Sequence, residues 1–185
     1  MRTISLSAAI GAILLLALAA CTVTSVEEEP DPAAIPSGEL VAQGAEATGP
    51  LTVVGSGRAV GLNLGWRFAV YESADGLCTQ LEMAQVTTAG CGNPLPAEGE
   101  HIGGVSVDGV GEGGITVVDG IVSDEVVTVW IVDEQQGRVP ATLMPLDEAG
   151  LEGQAFVGFM PADGTATHLQ AVALSGEILQ TYELP

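Results

Sequence analysis

The sequence predicts an all-β fold for residues 51–185, an immunoglobulin-like or related antiparallel β-sandwich, and three observations lead there. Short runs rich in Val, Leu and Thr recur from Leu51 onward, broken about every 8–12 residues by Gly, Asp-Gly, Asn-Pro or Pro. Several runs alternate: Trp66, Phe68 and Val70 fall on one face and Arg67, Ala69 and Tyr71 on the other, the period of a half-buried strand. No stretch of this region holds apolar residues at helical spacing over the length of an ordinary helix without an intervening Gly or Pro. Most of the 25 glycines also lie here, where they suit turns and bulges and would weaken helices.

The elements follow in order. Leu51–Val54 opens the series as a β-branched run that stops at Gly55. Gly65–Glu72 and Leu77–Met83 alternate and flank Ala74-Asp75-Gly76, a tight-turn signal that predicts a hairpin. Gly103–Val107 and Ile115–Val118 are short strands on either side of a glycine-rich connection. Val126–Val132 is a nearly unbroken apolar run, and Val139–Leu143 continues after Gly137. Asp147–Glu152 has room for one helical turn. Ala155–Met160, His168–Leu174 and Ile178–Tyr182 complete the set, the last two joined across Ser175-Gly176.

The N-terminal part is of a different kind. Arg2 precedes an apolar stretch from Ile4 to Leu18, too short for a lasting transmembrane helix, and Leu18-Ala19-Ala20-Cys21 closes it. These residues resemble a bacterial lipoprotein signal. The resemblance implies a signal peptide over residues 1–20, removal before Cys21, and a diacylglyceryl thioether on Cys21. It places the protein in the cell envelope, lipid-anchored on the extracytoplasmic side of the membrane; two acyl chains anchor stably where one is marginal. Residues 21–50 are acidic and interrupted by Pro30, Pro32, Pro36 and Pro50, without a periodic apolar face. They are expected to form a disordered tether. With Cys21 lipidated in an oxidising compartment, Cys78 and Cys91 remain as an even pair and are expected to form one disulfide. No Cys-x-x-Cys suggests a redox role.

After residue 20 only Arg58, Arg67 and Arg138 face 24 acidic side chains, one more net negative charge than the −20 of the full sequence, and lysine is absent. Such a surface repels nucleic acid and anionic headgroups, which excludes phosphate-backbone binding and leaves membrane attachment to the lipid. The acidity reads first as a solubility feature.

Motifs that carry chemistry are few. Gly55-Ser56-Gly57-Arg58-Ala59-Val60-Gly61 after Val53-Val54, with Glu72 downstream, has the outline of a dinucleotide loop. The segment that follows holds Gly61, Asn63 and Gly65 and cannot supply the crossover helix, so a glycine-rich turn between strands is the expectation. Gly103-Gly104-Val105-Ser106-Val107-Asp108 resembles one copy of a Gly-Gly-x-Gly-x-Asp calcium repeat with Ser106 in place of the third glycine. Asp108, Glu112 and Asp119 are the candidate ligands, with Asp124 and Glu125 near in sequence, although one copy falls short of the 6–8 oxygens calcium prefers. His101 and His168 have no partner at metal-ligand spacing and no catalytic motif accompanies them, so neither is assigned a catalytic role. Arg67, beside Trp66, is expected to pair with a carboxylate and cover apolar surface.

Trp66–Tyr71 leading to Cys78, Cys91-Gly92, Gly120-Ile121-Val122, Phe156–Pro161 and Ala171–Leu174 together resemble uncharacterised secreted actinobacterial proteins. The resemblance spans roughly Gly65 to Leu179 and implies a disulfide-bearing β-sandwich outside the cell, with no activity to transfer. The function expected from the sequence is a lipid-anchored, surface-displayed, non-enzymatic interaction or envelope-structural module whose partner is an envelope protein or glycan. The alternative is a calcium or small-ligand binding domain that uses the acidic loops; no other cofactor is implied.

Overall fold

β-branched and aromatic residues at alternate positions make the strands, and glycines at positive φ make the turns between them. The computed structural model describes residue 31 and residues 33–59, 61–84, 86–92, 94–110, 114–161 and 164–185. The expected signal peptide, Cys21, the first part of the tether and Glu112 lie outside these residues.

The described strands are β1 (Thr52–Ala59), β2 (Leu64–Ser73), β3 (Gly76–Met83), β4 (Thr87–Gly92), β5 (Ile102–Val110), β6 (Ile115–Val122), β7 (Val126–Asp133), β8 (Arg138–Pro140), β9 (Thr142–Pro145), β10 (Gln154–Met160), β11 (Ala166–Ala173) and β12 (Ile178–Glu183). A single 3-10 turn covers Asp147–Ala149. All pairings are antiparallel and form three four-stranded sheets, in the orders β1-β2-β3-β4, β5-β6-β10-β9 and β12-β11-β7-β8.

The sandwich has three layers, and the side-chain alternation of two strands shows why. From β6, Val117 and Ile121 pack with Trp66, Phe68, Val70 and Leu81 of the first sheet, whereas Val118 and Val122 pack with Val129, Ile131 and Leu169 of the third. In β10, Ala155 and Val157 face the first sheet while Phe156 and Met160 face the third. The second sheet is therefore central, and β6 and β10 read as nearly continuous apolar runs because both of their faces are buried. Close stacking requires Gly158 to lack a side chain, since a Cβ there would stand 2.2 Å from Ile131 Cδ1.

The antiparallel sandwich and its one disulfide are as the sequence predicts. Cys78 and Cys91 lie directly opposite on β3 and β4 with Cα atoms 4.1 Å apart, and Cys78 is fully buried. The β2–β3 hairpin turns at Ser73–Gly76, with Gly76 at φ +107° and the Ser73 hydroxyl accepting the Asp75 amide at 3.1 Å.

Among the differences from expectation, three shape the fold. β4 has no counterpart in the predicted set, because Thr87–Gly92 carries almost no large apolar residue. The run Val139–Leu143 is two strands: β8 pairs with β7 in the third sheet and β9 with β10 in the second. The chain switches sheets at Ala141, whose amide still donates to the Val129 carbonyl at 2.9 Å.

The third difference concerns the tether. Residues 33–48 are a strap laid along the outer face of the first sheet. Arg67 Nη1 donates to the Gly38 carbonyl at 3.0 Å, Gln80 Nε2 donates to the Val41 carbonyl at 3.1 Å, and the Tyr71 hydroxyl donates to the Gln43 carbonyl. Ala47 then bridges Ser73, and the Thr48 amide donates to Glu72 at 2.8 Å. At the start of β2, Gly65 lies flush beneath the strap; a Cβ there would be 2.1 Å from the Ala34 carbonyl oxygen. The physical reason is polar satisfaction. Arg67, Tyr71 and Gln80 are buried on a face that needs hydrogen-bond partners, and the strap backbone supplies them. Arg67 completes its set on Glu82, its cross-strand neighbour, with Nε 3.0 Å from Oε2.

Candidate functional site

Two places hold the chemistry that the fold brings together. The first is a niche between the first and second sheets. β5 and β6 pair Ser106 with Asp119 and Asp108 with Val117, so Ser106, Asp108 and Asp119 share the face of the second sheet that looks toward the first. Asp119 is only 3% exposed. Burial, and secondarily the negative charge of Asp108, push its pKa up to about 7. Asp108 is half-buried, and its Oδ2 accepts the Ser106 hydroxyl at 2.8 Å. Asp119 lines a cavity of about 10 Å³ together with Ser106 and, from the first sheet, Thr79, Leu81, Thr88 and Gly90. Thr79, Gly90 and Ser106 also line an open cleft of about 360 Å³ beside the disulfide, which reaches Cys91, Pro94 and Gly104.

The structure thus unites two of the three acids that the sequence singles out; the third, Glu112, lies outside the described residues. Asp124 and Glu125, expected nearby, stand instead in the exposed turn after β6, whose end at Val122 is itself roughly 10 Å along the strand from Asp119 by the usual rise per residue. Among the described residues no group of three or more His, Cys, Asp or Glu side chains is placed to hold a metal ion.

The histidines have local partners. His101 Nδ1 is 3.0 Å from the Ser123 hydroxyl and 3.7 Å from Glu125 Oε2, and the backbone amides of His101 and Ile102 both donate to Gln180 Oε1, at 2.5 and 2.9 Å. His168 Nδ1 is 3.0 Å from the Thr167 hydroxyl on β11.

The second place is a cleft of about 460 Å³ between the edge strand β1 and the corner where the chain passes from β8 to β9. Trp66, Val157 and Phe159 form its interior, Val139 and Pro140 its far wall, and exposed Arg58 its rim. The Trp66 and Phe159 rings lie 6.1 Å apart at 38°, a tilted aromatic pair. Gly57 opens space over the indole, since a Cβ there would stand 3.1 Å from Trp66 Cζ2. The glycine-rich motif that contains Gly55 and Gly57 is thus strand β1 rather than a turn, and only Gly61 falls in the turn after it.

Sequence reasoning places Trp66 in the core and Arg58 in a turn, so it does not find this cleft. The missing signal is the sheet switch at Ala141, which sets Val139 and Pro140 opposite β1. Comparison with protein-family models, with curated proteins and with solved structures returns no match, so the site is defined by its geometry alone.

Proposed function

We infer that this protein is a lipid-anchored, extracytoplasmic binding module, non-enzymatic in character, whose contact surface is the cleft under the β8–β9 corner. The observation that carries this reading is the concave grouping of Phe159, Val139 and Pro140 above the buried Trp66, with Arg58 at the rim. Aromatic and arginine side chains at a surface are enriched among energetically dominant contact points. Walls of Val, Pro, Trp and Phe favour a short apolar segment of an envelope protein over a glycan, whose hydroxyls need polar partners.

The strap supports the same reading. It starts against Gly65, which pairs with Arg58, so the chain enters the sandwich at the end of the first sheet that carries the cleft. With lipid on Cys21, the chain up to Asp31 reaches at most about 35 Å. A partner for the cleft is then a protein held close to the membrane.

The test is site-specific photo-cross-linking in the native envelope from Thr142, on the exposed cleft wall, with Gln135 in the β7–β8 loop as control. Adducts from Thr142 that Gln135 does not give, and that Arg58→Glu diminishes, are the expected result. Equal labelling from both positions, or none from Thr142, would overturn the reading.

A further inference from the structure

We propose that Cys91 is a thiol–disulfide exchange site, at which the thiolate of a dithiol protein of the thioredoxin type attacks and opens the Cys78–Cys91 bridge. The proposal is independent of the cleft at the β8–β9 corner, which lies on other strands.

The two cysteines differ in access. Cys78 on β3 is fully buried, whereas Cys91 on the edge strand β4 is exposed. Exposed bridges are the ones that exchange, because the attacking thiolate has to reach one of the two sulfurs. Cys91 also lines the open cleft of about 360 Å³, where its neighbours Gly90, Gly92, Pro94 and Gly104 are small and leave a path to it. Among the described residues no carboxylate lines this cleft, although the chain has a formal charge of −20. An approaching thiolate therefore meets no negative side chain at the point of entry.

The exchange balances in two steps. A bond forms between the incoming sulfur and Cys91 Sγ, the bond between Cys78 and Cys91 breaks, and its electron pair leaves on Cys78 Sγ. Ser73 Oγ stands 3.2 Å from that sulfur and in the closed bridge donates to the Gly76 carbonyl at 3.0 Å, so its hydroxyl is within reach of the departing thiolate. The second thiol of the partner then attacks the partner's own sulfur in the mixed disulfide and releases Cys91. The partner ends as a disulfide and this chain as two thiols, with two electrons and two protons transferred.

The consequence falls on the edge of the first sheet. Thr87–Gly92 contributes no residue to either hydrophobic cluster, so β4 is held by its ladder to β3 and by the bridge. The Tyr71 hydroxyl, which donates to the Gln43 carbonyl of the strap, lies 4.0 Å from Cys91 Sγ. Opening the bridge frees β4 directly beside that contact.

The experiment uses the full mature chain, oxidised, with Cys21→Ser so that no third thiol competes. One arm adds a thioredoxin whose second active-site cysteine is serine; the other adds dithiothreitol over a series of urea concentrations below the unfolding transition. The expected results are a covalent adduct on Cys91, located by cleavage at Glu82 between the two cysteines, and reduction at a rate that urea leaves unchanged, as attack on the folded state requires. A rate that climbs steeply with urea would overturn the proposal, because the bridge would then react only after the edge has opened. Absence of the thioredoxin adduct, or its presence on Cys78, would overturn it as well.

Discussion

Gln80 Oε1 accepts the backbone amide of Gln43 at 2.9 Å, a contact across 37 positions that fastens the strap to the centre of the first sheet. The same side-chain amide donates from Nε2 to the Val41 carbonyl, so one buried glutamine replaces two bonds that a neighbouring strand would otherwise make. The strap is thereby coupled to β3 through side chains, without a β-ladder of its own over this part.

Replacing this glutamine should release the strap while the sandwich persists. Gln80→Leu removes both bonds, and with the strap backbone able to regain water the cost is about 1–3 kcal/mol. Urea unfolding measures that loss, and limited proteolysis should show new cleavage between residues 37 and 46. Unchanged protection of that segment would count against the coupling.

Asp119 predicts a dependence of stability on pH. Its folded pKa is raised to about 7 by burial, above the ordinary unfolded value near 3.9, so the folded protein holds the proton more tightly. Stability from this group is full below the unfolded pKa and is lost as pH rises through the folded pKa. The groups facing it from the first sheet, Thr79, Leu81, Thr88 and Gly90, do not titrate, and Asp108 is the charged neighbour on its own sheet. Asp119→Asn should match the wild type near pH 4 and exceed it near pH 8 by a few kcal/mol, on the order expected for such a shift. Parallel stability curves for the two proteins would refute this.

The middle sheet should dominate stability. Phe156 is fully buried against the third sheet, and Phe156→Ala leaves a void that costs about 3–5 kcal/mol. Leu174 is 88% exposed at the β11–β12 turn, and Leu174→Ser should stay within about 0.5 kcal/mol of the wild type. Chemical denaturation of both variants checks the contrast.

Opening the Cys78–Cys91 bridge should act mainly on β4. The bridge spans 13 positions, and a loop of that size contributes about 3 kcal/mol in the chain-entropy treatment. The double Cys→Ala variant should unfold earlier in urea and exchange the amides of Thr87–Gly92 faster than those of β6. Equal exchange in β4 with and without the bridge would show that side-chain packing holds this edge strand.

The sequence by itself determined the elements whose information is local. Alternation and the Ala74-Asp75-Gly76 turn are sufficient for the β2–β3 hairpin, and the apolar runs mark β6, β7, β10, β11 and β12, because strand period and turn chemistry act over a few residues. The pairing of Cys78 with Cys91 was legible from cysteine parity once the lipoprotein resemblance sets Cys21 aside. Tertiary structure decided the rest. A buried run does not say which sheets cover its two faces, so the three-layer stack around β6 and β10 is not written in any one segment. Ala141 marks no boundary in the sequence, yet the competing edges of the second and third sheets divide one run into β8 and β9 there and open the cleft beneath Trp66. The strap has no apolar period, since its order comes from Arg67, Tyr71 and Gln80, which lie far along the chain. Asp119 has the sequence signature of a surface acid, and only the first sheet closing over it turns it into a buried carboxyl with a raised pKa.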